Sequence, residues 1–85
     1  MDATEVARRG RLLPDEFATR VPAQTLAGLR LMAEGGEYGE LAIELTATLV
    51  KTKAAVSAAE QQELRTLLQA TGLPTYPADQ LVVRD

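Results

Sequence analysis

Residues 34–50 read EGGEYGELAIELTATLV, and their spacing decides the fold class. Tyr38, Leu41, Ala42, Leu45 and Leu49 recur at three- and four-residue steps, the repeat that lines side chains along one face of an α-helix. The pattern predicts a helix that opens at Glu37 or Tyr38 and runs to about Lys53. At about 100° per residue, Ile43, Ala47 and Val50 fall on a second apolar sector, while Glu37, Glu40, Glu44 and Lys51 occupy the remaining arc. A helix apolar on two sides is expected at the centre of a bundle, covered from both flanks. The alternative is a face that awaits a partner or a second copy.

The flanking sequence supplies the rest of a bundle. Gly35-Gly36 reads as a tight connection between two helices, because only a residue without Cβ takes positive φ freely. Upstream of it, Pro22 is placed to open a helix with Leu26, Leu29 and Ala33 on one stripe and Leu31 beside Ala27 on another. Downstream, Ser57-Ala58-Ala59-Glu60 is a capping box that announces a helix carrying Leu64, Leu67 and Leu68, closed by Gly72 and then Leu73-Pro74. Before Pro22 the signals are short. Asp2 or Thr4 is expected to cap a stretch from Val6 to Arg9 that Gly10 ends, and Pro14-Asp15-Glu16 then opens a second run past Phe17. Phe17 is the only Phe and an expected core anchor. The tail from Thr75 to Asp85 is expected to dock on the bundle, the alternative being a strand added to a partner. The expected architecture is therefore all-α and single-domain: a small bundle of three main helices over residues 22–72, short N-terminal helical segments over 1–21, and a C-terminal tail over 73–85.

Composition narrows the chemistry. Among 85 residues there is no Cys and no His, so a disulfide framework, a thiolate nucleophile, a zinc finger and an imidazole base are all excluded. Any serine nucleophile would have to be Ser57, which the capping box already uses, with Lys51 or Lys53 as its base. Gly35-Gly36 follows a helix rather than a strand and has no Lys-Ser/Thr after it, so it is no phosphate cradle. The expectation is a protein that is not an enzyme and has no cofactor and no metal. Nine bases against twelve acids give −3, and the basic residues form no run beyond Arg8-Arg9, with Arg11 nearby, so nucleic-acid binding lacks its electrostatic footprint. No segment has the pattern of a leader or of a bilayer-spanning helix, and a cytoplasmic location with no membrane association is expected.

The acidity is concentrated. Residues 34–44 hold Glu34, Glu37, Glu40 and Glu44 without a Lys or Arg, a local charge of −4 in a chain of −3. Three of them, Glu37, Glu40 and Glu44, lie within roughly 60° of one another on a helix. Such a face can be plain solvated surface or helix N-terminal charge. It lacks the carbonyl and amide ligands of a dedicated cation site, and its functional reading is recognition of a basic partner.

The run from Leu31 through Leu45, then Val56-Ser57-Ala58-Ala59-Glu60 and the stretch from Leu64 to Pro74, resembles the small immunity proteins of the Maf and contact-dependent inhibition type. The likeness lies in an aromatic after a Gly-Glu turn, a small residue, Leu-Ala and a downstream Leu, a Val-Ser connection, and a helix ending near Gly-Leu; it spans roughly half of the chain. It implies an all-α cytoplasmic protein that binds a cognate toxin domain, delivered by secretion or contact, and blocks it. A basic, nuclease-like toxin would suit the four glutamates. The competing expectation is a self-associating helical domain that dimerises through Ile43, Ala47 and Val50.

Overall fold

The computed structural model describes residues 1–85 and contains four main helices: α1 (Ala3–Glu16), α2 (Ala23–Glu34), α3 (Tyr38–Thr52) and α4 (Ala58–Ala70). A short α5 (Tyr76–Asp79) and two strands of two residues, β1 (Ala55–Val56) and β2 (Val82–Val83), complete it. The all-α bundle read from the sequence is the fold, and α3 stands at its centre, touching α1, α2, α4 and α5.

Three of the helix ends use one device. At the end of α2 the Glu37 amide donates to the Met32 carbonyl at 2.9 Å and the Gly36 amide to Ala33 at 3.2 Å, with Gly36 at φ 73°. The pair of bonds is repeated after α4, around Gly72 at φ 77°, and after α3, where the left-handed position is held by Lys53 at φ 56°. This closure satisfies carbonyls that a helix end leaves bare, and it favours glycine because a Cβ crowds the following carbonyl. At the other end of α4 the capping box forms as expected, with the Glu60 amide donating to Ser57 Oγ at 3.0 Å and the Ser57 amide to Glu60 Oε1 at 2.8 Å.

The N-terminal third departs from its sequence reading. Residues 3–16 form one continuous helix, with Asp2 capping it by accepting from the Glu5 amide, instead of two short runs divided at Gly10. Gly10 is buried against Tyr38 of α3, so close that a Cβ there would sit 2.3 Å from Tyr38 Cδ1. It is a contact glycine, not a terminator: the missing side chain lets α1 approach α3. Pro14 lies within the last turn of α1, where the lost amide would have reached Gly10, and the helix ends two residues later. The consequence is a larger core. Leu13 and Phe17 are fully buried beside Leu29, Leu41, Leu45, Leu49, Leu64, Leu67 and Leu68, so four helices enclose the core where three were expected.

The tail docks. Ala78 and Leu81 enter the core, β2 pairs with β1 in parallel, and the Arg84 amide donates to the Val56 carbonyl at 2.8 Å. Gln61 Nε2 donates to the Ala78 carbonyl, and Asp85 Oδ1 accepts the Ala58 amide at the N-terminus of α4, where a carboxylate also meets the positive end of the helix dipole.

Candidate functional site

The wheel of α3 splits cleanly. Leu41, Ala42, Leu45, Thr46 and Leu49 are buried, whereas Glu37, Glu40, Ile43, Glu44, Ala47 and Lys51 are exposed on the opposite side. The two-sided apolar reading of this helix is thereby corrected. Neighbours cover the Leu41–Leu49 stripe, and Val50, at the edge of the second sector, packs partly buried against the core. Ile43 and Ala47 stay in solvent, Ile43 at 41% exposure, because nothing in the chain lies over them. The dimer surface of Ile43, Ala47 and Val50 is thus reduced to its first two members. Leu31, on the second stripe of α2, is likewise left outside at 67%, and Tyr38 is half-buried.

All four candidate glutamates are exposed, and what sets them apart is the absence of a partner. Elsewhere the carboxylates are engaged: Glu5 with Arg8, Asp15 with Arg30, Glu16 and Glu63 with Arg9, Glu60 with Arg20, and Asp79 with Arg65. Asp2 and Asp85 accept backbone amides at helix starts. Glu34, Glu37, Glu40 and Glu44 make no ion pair and no side-chain hydrogen bond. The fold does not bring the four to one spot. Glu37 and Glu40 line a shallow groove with Tyr38, Gly39, Ile43 and Leu73. Glu44 faces a second groove with Ala47 and Lys51, and Glu34 lines a recess with Arg11, Asp15 and Arg30. No three of the acids stand where they could hold a metal ion together.

Sequence reasoning missed the most elaborate charged group in the molecule. Arg20, in the turn after α1, donates to both oxygens of Glu60 at 2.8 and 2.6 Å, and to the Glu16 carbonyl at 3.1 Å. Its guanidinium lies 4.3 Å from the centre of the Phe17 ring. Glu60 therefore serves twice, capping α4 and tying it to the end of α1. The Arg20 hydrogen bonds and the Ser57 amide hold the Glu60 carboxyl down at about 2, against the usual 4.5, and the hydrogen bonds to Glu60 in turn raise Arg20 above the normal guanidinium range. The partners are forty residues apart, beyond the reach of any local pattern. The arrangement is structural, since it faces no cleft.

Comparisons with protein-family models, with curated proteins and with solved structures each find no match to this chain. No helix is long and apolar enough to cross a membrane. The outer side of α3 carries the unpaired carboxylates of Glu37, Glu40 and Glu44 with Ile43 and Ala47 exposed among them.

Proposed function

We propose that this protein is a non-enzymatic immunity protein, acting in the cytoplasm, that binds a cognate bacterial toxin domain and neutralises it through the exposed face of α3. The observation that carries the reading is the set of carboxylates left without partners in a molecule that pairs or caps with every other acid. Unpaired surface charge of one sign steers association with a surface of the other sign, and the carboxylates of Glu37, Glu40 and Glu44, on one side of α3, can imitate the phosphates that a nuclease cleft binds, with Glu34 in its separate recess adding to the field. The resemblance to the Maf and contact-dependent inhibition immunity proteins points the same way. Ser57, whose hydroxyl accepts the Glu60 amide, is committed to helix capping, which supports a role in binding rather than catalysis.

The test is co-purification of the tagged protein with the product of the neighbouring upstream reading frame, alongside growth with each expressed alone and together. A one-to-one complex that restores growth supports the proposal; no complex and no rescue reject it. Within a complex, replacing Glu34, Glu37, Glu40 and Glu44 together by Ala should weaken affinity by more than about 3 kcal/mol and flatten its salt dependence. Unchanged affinity removes the acidic face from the mechanism.

A further inference from the structure

One groove on the surface differs from the others in charge. Tyr38, Ile43 and Leu73 give it apolar walls, Glu37 and Glu40 stand at it without partners, and no basic side chain lines it. The recess beside Glu34 holds Arg11 and Arg30, and the groove beside Glu44 holds Lys51, so each of those carries its own cation. The close approach of its two walls rests on Gly39: a Cβ there would lie 3.2 Å from Leu73 Cδ1 and 3.3 Å from Thr71 Cβ. Two helices also end at this groove. Gly36 follows α2 and Thr71 follows α4, both line it, and neither helix has a basic residue in its last turn, whereas α3 has Lys51. A helix end carries roughly half an elementary charge, negative at the C-terminus and positive at the N-terminus. The ends of α2 and α4 outweigh the start of α3, and with the two carboxylates they leave an excess of about 2.5 negative charges around an apolar slot.

We propose that this groove receives an arginine side chain of a partner protein. A guanidinium is more weakly hydrated than an ammonium, meets carboxylates through paired N–H donors and lays its face on aromatic rings, which suits Glu37, Glu40 and Tyr38. Its methylene stem covers apolar surface, which Ile43 and Leu73 supply. A hard metal ion is the wrong occupant, because it needs about six oxygen ligands and two carboxylates between apolar walls do not provide them. The free energy of the contact comes from charge complementarity together with burial of the stem, so both the charge and the length of the incoming side chain matter. The identity of the partner as a toxin rests on the function proposed above; the preference of the groove for arginine does not.

The test titrates the isotope-labelled full chain by NMR with the blocked peptide acetyl-Leu-Arg-Leu-amide. Saturable shifts are expected at the amides of Glu37, Gly39, Glu40, Ile43, Thr71 and Leu73, with a dissociation constant on the order of 1–10 mM. The same peptide with neutral citrulline in place of arginine should bind at least about tenfold more weakly, and the lysine peptide about threefold more weakly. Glu37→Gln combined with Glu40→Gln should weaken the arginine peptide by about tenfold and leave the circular dichroism unchanged, since both side chains are exposed. No saturation by about 50 mM overturns the proposal. So does a citrulline or lysine peptide that binds as tightly as the arginine one, or a set of shifts centred on Glu34 or Glu44. The outcome is separable from the co-purification test: peptide binding with no toxin complex rejects the toxin reading alone, and a toxin complex with no peptide binding rejects the arginine groove alone.

Discussion

Replacing Glu60 by Gln isolates the charge that ties α1 to α4. Gln keeps the capping box, since its carbonyl oxygen can still accept the Ser57 amide that now reaches Glu60 Oε1 at 2.8 Å. What disappears is the ionised partner of Arg20. The drop of the Glu60 carboxyl from 4.5 to about 2 corresponds, at 1.36 kcal/mol per decade, to about 3 kcal/mol at most. The two side chains remain 29% and 25% exposed, and solvent screening brings the expected loss to about 1–2 kcal/mol at pH 7. For a domain of this size that lowers Tm by at least about 5 °C. The pH dependence gives the stricter check. The folded-state pKa lies below the unfolded one, so the stabilisation is complete above the unfolded value of 4.5 and is lost as pH falls through about 2. Urea denaturation of wild type and Glu60→Gln between pH 7 and pH 2 should show two curves that converge toward the acid end. A gap below about 0.5 kcal/mol at neutral pH, or one that persists undiminished at pH 2, refutes the assignment of this pair as a stabilising ionic link.

Three further outcomes follow from the backbone and the core. Gly10→Ala and Gly28→Ala are both Gly to Ala within helices, yet they should act oppositely in thermal melts. A Cβ at position 28 meets nothing within 4 Å and should stabilise by about 1 kcal/mol, whereas one at position 10 strikes the Tyr38 ring and should destabilise by about 1–3 kcal/mol. Lys53→Gly relieves the left-handed backbone after α3 and should raise stability by about 1 kcal/mol, measured by urea denaturation; no change would mean that the lysine fits this conformation without strain. Thr46 is fully buried and its hydroxyl has no hydrogen-bond partner, so Thr46→Val should stabilise by about 1 kcal/mol, and a loss of stability would reveal a bond to that oxygen.

The parts of the fold that announce themselves locally were legible in the sequence. Ser57 and Glu60 are three residues apart, so one helical turn contains the whole capping signal. Gly36 and Gly72 mark chain reversals because their backbone angles are hard for other residues, wherever the rest of the protein lies. The spacing from Leu41 to Leu49 dictates a helix and its inner face, and those residues are fully buried. The acidic cluster could also be located from residue types alone. Its separation into two grooves and a recess could not, because the groove walls come from residues far along the chain, such as Leu73 beside Glu37 and Arg11 beside Glu34.

Gly10 and Arg20 show where local reading stops. A glycine after a short helical pattern and a glycine that admits a neighbouring ring are the same letter, and only the approach of Tyr38 to α1 distinguishes them. Arg20 carries no periodic signal, and its value comes from Glu60 being brought across forty positions by the packing of α1 against α4. The same holds for the second apolar sector of α3: sequence placed Ile43, Ala47 and Val50 together, and tertiary packing half-buried Val50 against the core and left the other two outside. Sequence by itself determined α2, α3 and α4, the caps at Ser57, Gly36 and Gly72 and the inner face of α3, since these depend on backbone angles and side chains within a turn or two. Tertiary structure decided which glycine ends a helix, which charges are satisfied and which apolar residues remain in water, because burial depends on what arrives from elsewhere in the chain.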